Sequence, residues 1–446
     1  MTATGTPPGT PSGTPAGTPP GTPAGTPPGT PASVPLRRRI LADLTPLRIS
    51  AHYRRLWFGS TISWVGQGMT TLAISLQVYD ITRSTFSVGL VGLFSLVPLI
   101  VFGLYGGAVA DTVDRRALGL YSAAGSAGLS AALATAAFAG FHHVWFLYGI
   151  VALQAVCAAL SSPARSAMIP RLLPPEQLPA ANALNSMTAT SGMLIGPMLG
   201  GLIVGYGGYQ TAYLIDAVAF GAALYAVWRL PSMLPDRDRT TAKRASVLDG
   251  LRFLATRPNI RMTFFSDFCA MILAKPTALF PAIAVLWYGG DARTTGLLVA
   301  APAVGALLGG VFSGWLGGIR RHGVAILLAV AAWGVAIAVF GLTRNLWLGL
   351  LFLAVAGCAD TVSMVFRNTM MQAAAPDEMR GRLQGVFLVV VAGGPRLGDF
   401  LAGSVADLTS PAVAVTGGGL ACVLAVGLLA LRGRGFVRYD AREPTP

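Results

Sequence analysis

The sequence predicts an all-α polytopic membrane protein with twelve transmembrane helices in two six-helix, pseudo-symmetric bundles. Of its 446 residues 53% are hydrophobic and only 11% are charged, and the apolar residues fall into long runs. A soluble protein carries about 25% charged residues, so this chain has too little charge to cover a surface that faces water. One long polar break also divides the runs into two sets of six.

The N-terminus is a low-complexity segment that precedes the first apolar run. Residues 5–32 repeat a GTPx tetrapeptide seven times and contain no apolar side chain larger than alanine. Such a segment cannot bury a core, and its prolines remove backbone donors. It also lacks the apolar stretch of a signal peptide. We therefore expect residues 1–36 to form a disordered cytoplasmic tail.

Twelve apolar runs reach the length of about 20 residues that a helix needs to cross a bilayer. They cover residues 55–80, 86–110, 117–140, 144–165, 180–205, 211–229, 260–287, 295–317, 323–342, 346–366, 383–406 and 412–431. The break at 230–259 is expected to be a cytoplasmic linker with an amphipathic helix, because Val247, Leu248, Leu251 and Leu254 share helical spacing. The remaining units are an N-terminal bundle at 37–229, a C-terminal bundle at 260–432 and a cytoplasmic tail at 433–446.

The net charge of +14 arises from 30 Arg and 2 Lys that are concentrated in alternate connectors. Cytoplasmic connectors of membrane proteins carry an excess of these residues. The opposite connectors hold only Arg83, Arg293 and Arg344. We therefore expect both termini and the linker to lie in the cytoplasm, with the chain in the plasma membrane. The basic balance is a topology signal and does not indicate a nucleic-acid partner.

The two predicted halves repeat a sequence pattern. An Arg-x8-Pro-x-Glu motif follows the fourth run from Arg165 and the tenth run from Arg367, and a Gly-Pro pair follows in each next run. Two six-helix units in parallel, joined by a linker, are typical of secondary transporters.

Two motifs carry a family resemblance. The connector after the second run reads GGAVADTVDRRAL and resembles the major facilitator superfamily signature G-x3-D-[RK]-x-G-[RK]-[RK]. Its residues here are Gly107, Asp111, Asp114, Arg115 and Arg116, with Asp114 in place of the usual glycine. The fifth run contains GMLIGPMLGG, which is similar to the glycine signature of drug exporters in that superfamily. Its residues are Gly192, Gly196, Pro197, Gly200 and Gly201. With GLRFLATRPNIR and SPARSAMIPRLLPPEQLPAANAL, the chain resembles the enterobactin-exporter-like branch, which also holds drug efflux proteins.

The resemblance implies roles for several residues. In this superfamily the first motif latches the two halves together, and spans one, four, seven and ten line a central cavity. The candidate cavity or coupling residues on those spans are Trp64, Gln67, Gln154, Asp267, Lys275 and Asp360. Pro276 is expected to distort the helix next to Lys275.

Three further charged residues lie inside the apolar runs. A charge at mid-membrane costs about 3 kcal/mol on insertion scales, so each one needs a partner or a cavity. Arg396 and Asp399 on the eleventh span are three residues apart and share one helix face. We therefore expect them to satisfy each other as an ion pair, with a possible part in coupling. Asp216, near the outer end of the sixth span, is expected to be an interfacial cap.

The motifs that the sequence lacks narrow the function. It contains no phosphate-binding loop, zinc-protease motif or nucleophile elbow, so we expect neither an enzyme with catalytic residues nor a metal or cofactor. An ion gradient remains as the energy source, and a carboxylate removed from water, such as Asp360 or Asp267, can carry a proton. We expect a monomeric exporter that moves a small amphipathic, drug- or siderophore-like molecule by alternating access in antiport with protons. A lysophospholipid or other lipid transporter and a non-transporting membrane sensor or scaffold remain open as alternatives.

Overall fold

The computed structural model describes most of the chain after the N-terminal repeats. The described residues are Thr2, Gly5, 43–233, 252, 254–312, 318–374 and 377–440, without the side chains of 104–112 and 372–391. The predicted tail at 1–36, apart from Thr2 and Gly5, and most of the predicted linker at 230–259 lie outside these residues. In the described part every regular element is a helix.

The described helices are numbered in chain order. They are α1 (Thr45–Ile49), α2 (Ala51–Thr82), α3 (Thr85–Thr112), α4 (Arg115–Phe138), α5 (Val144–Leu172), α6 (Leu178–Trp228), α7 (Pro258–Phe268), α8 (Phe280–Tyr288), α9 (Ala292–Val311), α10 (His322–Leu342), α11 (Leu346–Ala374), α12 (Asp377–Leu408), α13 (Pro411–Arg432) and α14 (Arg434–Val437). Within the described residues, nine helical segments are long and apolar enough to cross a bilayer. Helices α2 and α12 are not among the nine, although each is 32 residues long.

Helix α6 contains two of the predicted spans without a loop between them. Gly208 interrupts it with φ +75°, a left-handed value inside a segment of 51 residues. Glycine adopts such a φ at little cost because it has no Cβ. The chain therefore changes direction at a single residue between the predicted spans at 180–205 and 211–229.

The predicted seventh span is a broken helix. Helix α7 continues into a π-helical turn at Cys269–Leu273, and regular structure resumes with a 3-10 turn at Thr277–Leu279 before α8. Pro276 has no N–H and its ring clashes with the preceding turn, so the predicted distortion beside Lys275 is confirmed. Trp333 Nε1 donates to the freed Ala274 carbonyl at 3.0 Å.

Most of the buried apolar side chains separate into clusters that follow the sequence. The largest cluster begins at Ala270 and extends to Tyr439, whereas the next joins residues of α2 to α6 with Ala278 and Ala282. Phe436 and Tyr439 are buried in the first cluster. The beginning of the predicted tail at 433–446 therefore packs on the C-terminal half as α14. Helix α3 contacts α12, and α6 contacts α9.

Candidate functional site

Three charged side chains meet inside the C-terminal half. Arg367 Nη1 binds Asp267 Oδ1, and Arg367 Nη2 lies 3.3 Å from Asp360 Oδ1. The side chains of Asp267 and Arg367 are each 6% exposed, whereas that of Asp360 is 33% exposed. Two of the predicted candidates, Asp267 and Asp360, are thus brought together by an arginine that was not among them. The cluster holds two acids and one base.

Helix geometry explains this meeting. Asp360 and Arg367 are seven residues apart on α11, so two helical turns place them on the same face. Asp267 approaches from the last turn of α7, next to the π-helical turn. In the sequence, Arg367 stands out only as part of a repeated connector motif. The signal that could have identified it is this spacing from an intramembrane acid.

Lys275 lies in the break between α7 and α8 and is half-buried. Its ammonium interacts electrostatically with two carboxylates, those of Asp360 and Asp399. A side chain in a broken segment has more freedom to reorient than one in a regular helix. Lys275 is therefore positioned to respond to a change of charge at either acid.

The predicted ion pair between Arg396 and Asp399 is wrong. Arg396 Nε donates to Ser95 Oγ on α3 at 2.8 Å, and Arg396 Nη1 donates to the Ala392 carbonyl. Asp399 Oδ1 accepts the Ala278 N–H at 3.1 Å. Each group has a nearer partner, because α12 packs between α3 and the broken seventh segment. Asp399 acts there as a cap from a neighbouring helix, since the break leaves N–H groups without their helical acceptors.

The candidates of the N-terminal half lie apart from this cluster. Trp64 and Gln67 on α2 and Gln154 on α5 are half-buried. Trp64 packs against α6, where a Cβ added to Gly192 would lie 3.0 Å from the Trp64 Cβ. Within the described residues no hydrogen bond joins these three side chains to the charged cluster.

The glycine motif forms a close contact between α2 and α6. A Cβ placed on Gly196 would lie 2.8 Å from Gly68 Cα and 2.9 Å from the Val65 carbonyl oxygen. Gly192 and Gly200 face Trp64 and Met69 of α2 in the same way. The two backbones approach so closely that only glycine fits at the centre of the contact.

The same motif also contacts the other half of the chain. A Cβ on Gly201 would lie 3.0 Å from Gly296 Cα, and one on Gly296 would lie 2.7 Å from the Pro197 carbonyl oxygen. Beyond this contact the guanidinium of Arg293 lies 3.8 Å from the centroid of the Tyr206 ring. The motif is therefore packed against both α2 and α9.

A second contact between the halves joins α3 to α12. Ser84 Oγ donates to Asp407 Oδ1 at 2.8 Å, and Thr85 Oγ1 donates to the Gly403 carbonyl at 3.1 Å. These groups lie at the helix ends next to the connectors that are poor in arginine. Among the described residues, the hydrogen bonds between the halves all involve α3, or the residue before it, and α12. The halves are thus held together at the arginine-poor end.

The first motif fastens the connector between α3 and α4. Asp114 caps α4 by accepting the Arg116 N–H at 2.9 Å, and it also accepts the Ser232 hydroxyl at 2.7 Å and the Met233 N–H at 3.1 Å. Partial burial raises the pKa of Asp114, but the hydrogen bonds from Ser232 and three backbone N–H groups outweigh this effect and hold the pKa below its ordinary value. Asp114 thereby ties this connector to the segment that follows α6.

The two arginines of that motif bind carbonyl groups near helix C-termini. Arg116 Nη2 donates to the Trp228 carbonyl at the end of α6 at 2.6 Å, and Arg115 Nη1 donates to the Ala167 carbonyl of α5 at 3.3 Å. A cation is favourable at a helix C-terminus because of the helix dipole. The side chain of Asp111 and the position of Gly107 lie among residues 104–112, outside the described side chains.

Asp216 is in the core and not at an interface. Its side chain is fully buried, and its Oδ2 accepts from Thr70 Oγ1 at 2.8 Å and from Ser130 Oγ at 2.7 Å. The expectation of an interfacial cap is therefore wrong. The sequence shows where Asp216 lies along the sixth span. It does not show that the partners of Asp216 come from α2 and α4, which are distant in sequence.

Comparisons with known proteins identify the family of this chain. The family model of transmembrane secretion effectors matches residues 41–441, and the chain therefore belongs to this family of the major facilitator superfamily. The enterobactin exporter EntS of Citrobacter koseri is 29% identical over 411 residues, which cover 92% of this chain and 98% of that protein. The same exporter of Escherichia coli is 29% identical over 392 residues, with coverages of 88% and 94%.

Solved transporter structures share the fold. The nucleoside transporter NupG has a TM-score of 0.66 at 14% identity and covers 87% of this chain and 99% of its own. A bacterial homologue of the human lysosomal transporter Spinster, in an inward-facing and unoccupied conformation, has a TM-score of 0.65 at 15% identity, with coverages of 87% and 96%. The protein is accordingly a multi-pass exporter of the cell membrane with a small-molecule substrate, and a transporter rather than an enzyme.

Proposed function

We propose that the protein is a proton-coupled secondary exporter that moves a small amphipathic molecule out of the cell by alternating access. It has twelve spans in two six-helix bundles and acts as a monomer, with both termini in the cytoplasm. The observation that carries the proposal is the buried cluster of Asp267, Arg367 and Asp360. Its geometry supports a different task for each acid.

The Asp267–Arg367 pair is the permanent part of the cluster. Both side chains are almost completely buried, and a buried charge that loses its partner is strongly unfavourable. Asp360 is the second acid on the same arginine and is about one-third exposed. Two acids on one base leave one negative charge, and a proton on Asp360 neutralises the cluster. Asp360 is therefore the proton carrier in this proposal.

Lys275 supplies a link between the proton and the substrate. When Asp360 is ionised, it attracts the Lys275 ammonium, and when Asp360 is protonated, this attraction is lost. Lys275 then interacts with Asp399 or with an anionic group of the substrate. The proton and the substrate therefore compete for the same charged groups, and binding of one favours release of the other. This exchange is the requirement for antiport.

The contacts between the halves support alternating access. The α3–α12 and α6–α9 contacts hold the arginine-poor end closed, and the positive-inside rule assigns that end to the outside. The closed end of α6–α9 includes Gly201 and Gly296, whose backbones touch. Export then requires these contacts to open while the opposite end closes, whereas the contact of Gly192, Gly196 and Gly200 with α2 lies within the N-terminal half.

The substrate class follows from the side chains on the predicted cavity helices. Trp64, Gln67 and Gln154 offer an aromatic surface and amide groups, and the acidic cluster with Lys275 offers charge. This combination suits an amphipathic molecule with polar groups. The named relatives are enterobactin exporters, which favours a siderophore-like solute as the first one to test.

The test measures extrusion from cells that lack their own efflux pumps and express this protein. Ethidium and a catecholate siderophore are the two substrates, each with and without a protonophore. We expect extrusion by the wild type to stop with the protonophore, and Asp360→Asn to abolish extrusion at normal expression. Asp43→Asn is the control, because Asp43 is exposed and asparagine keeps a side-chain oxygen that can accept the Thr45 N–H.

Three results would overturn parts of the proposal. Extrusion that persists with the protonophore would exclude proton coupling, and full extrusion by Asp360→Asn would exclude Asp360 as the carrier. If the well-expressed wild type extrudes neither substrate, the drug- or siderophore-like class is wrong.

A further inference from the structure

The N-terminal half contains a buried acid that the proposed transport cycle does not use. Asp216 lies where α2, α4 and α6 meet and is fully buried. Thr70 and Ser130 both donate their hydroxyl groups to its Oδ2, while Oδ1 has no hydrogen-bond partner. No arginine, lysine or histidine of the described residues contacts this carboxyl group. An acid in such a place needs an explanation.

The surroundings of Asp216 favour a proton as the missing partner. A buried carboxylate without a cation and with one oxygen unsatisfied is energetically unfavourable. A proton on the carboxyl group removes the charge. Because a hydroxyl can both donate and accept, Thr70 or Ser130 can turn and accept from the protonated acid. The three side chains can therefore remain hydrogen-bonded whether the carboxyl group is ionised or protonated.

The space beside Oδ1 is too small for a larger cation. The bare Cα of Gly66 faces this oxygen so closely that an added Cβ would lie 2.5 Å from it. A metal ion needs several oxygen ligands around it, whereas a proton needs only the carboxyl group and one acceptor. The ligand class that fits is the proton.

The other titratable groups nearby are engaged elsewhere. Tyr213, one turn earlier on α6, donates to Gln77 Oε1 at 2.7 Å, and Tyr209 donates to Asp80 Oδ2. From α2 and α4, the described residues that face the carboxyl group are Thr70, Ser130 and Gly66, none of which is charged. A titration of this site therefore belongs to Asp216 itself.

We propose that Asp216, with Thr70 and Ser130, is a second proton-binding site of this transporter, separate from Asp360. The carboxylate takes a proton from hydronium to give the acid and water, and the reverse step returns the proton to water. Because the site is sealed here, exchange requires α2 to separate from α4 or α6. Helix α2 also carries Gly68 of the glycine contact, so proton exchange at Asp216 is linked to the packing of α2 on α6.

Infrared spectroscopy of the purified full-length protein at a series of pH values tests this site. The spectrum of Asp216→Asn is subtracted from that of the wild type. We expect a carboxylic-acid C=O band that is converted into carboxylate bands as the pH rises, and that remains in Asp360→Asn. Thr70→Val and Ser130→Ala each remove a donor to the ionised form, so each is expected to raise the midpoint by about one pH unit.

The outcomes are distinguishable from a failure of the export proposal, because no substrate or gradient is needed. A difference spectrum with only carboxylate bands, or only an acid band that never changes, would overturn the second site. If Asp216→Asn does not accumulate, the two hydroxyl variants carry the test. A carboxyl midpoint that neither variant moves would then overturn it.

Discussion

Asp267 and Asp360 share Arg367 as a partner, yet their replacement by asparagine is expected to affect different properties. Asp267→Asn should mainly lower stability, whereas Asp360→Asn should mainly abolish transport. Removing one partner of a buried ion pair costs about 3–5 kcal/mol because the other charge stays buried. Asp267 and Arg367 are each 6% exposed, so Asp267→Asn should lower the free energy of unfolding by about 3 kcal/mol, the low end of that range, since Asp360 still faces the arginine. Asp360 is 33% exposed and its Oδ1 lies 3.3 Å from Arg367 Nη2, so Asp360→Asn should cost much less, because it removes the second acid and leaves the buried Asp267–Arg367 pair intact.

The assay measures unfolding and transport on the wild type, Asp267→Asn, Asp360→Asn, Arg367→Gln and the double variant of Asp267 and Arg367. Thermal unfolding in one detergent is expected to give a clearly lower Tm for Asp267→Asn and a near-normal Tm for Asp360→Asn. Extrusion should fail in Asp360→Asn despite its stability. The double variant of Asp267→Asn with Arg367→Gln should be less destabilised than the sum of the single variants, since neither Asp267 nor Arg367 is left as a lone buried charge and only the more exposed Asp360 loses its partner. Equal destabilisation by both single variants, or strict additivity in the double variant, would refute this reasoning.

Three further predictions concern packing, capping and the closed end. Gly196→Ala should lower Tm, because its methyl group would lie 2.8 Å from a backbone atom. Gly221→Ala on the same helix meets nothing within 4 Å and should raise Tm slightly, through about 1 kcal/mol of helix propensity. A Tm of Gly196→Ala at or above that of Gly221→Ala would contradict the close contact. Asp114→Ala should cost about 1 kcal/mol of unfolding free energy near neutral pH. Because the folded pKa of Asp114 is lowered, this contribution is complete above the unfolded value of about 3.9 and is lost as the pH falls through the folded value, so Tm differences that are constant in acid would argue against it. Arg293→Ala should remove the cation over Tyr206 and increase the population open at that end by about 2–5-fold, as spin-label distances between α6 and α9 would report, with Arg293→Lys as the control that keeps the charge.

The apolar runs predicted an all-helical membrane protein, and Pro276 predicted the distortion beside Lys275 that the structure contains. Runs of about 20 apolar residues leave few alternatives to a membrane helix. The joining of two predicted spans at Gly208 was not predictable from length, because a single residue with a left-handed φ replaces a connector there.

The partners of the charged residues could not be predicted in the same way. Arg396 and Asp399 are neighbours on one helix face, but each has a better partner on another helix, Ser95 or Ala278. Spacing along a helix states which side chains can meet, whereas tertiary packing decides which ones do. Arg367 shows the converse, because its spacing from Asp360 was visible in the sequence and its burial was not.

Electrostatic interactions and hydrogen bonds give the proposed coupling a physical route from one half to the other. Lys275 interacts with Asp360 and with Asp399, and Asp399 holds the first turn after the helix break. On the same helix α12, Arg396 donates to Ser95 of α3 at 2.8 Å. A change of charge at Asp360 therefore reaches a broken segment that can rearrange locally, and that segment is capped by the helix that binds the other half. A regular seventh helix could not rearrange locally in this way. Its backbone N–H groups would be bonded within the helix and would not need Asp399 of α12 as a cap.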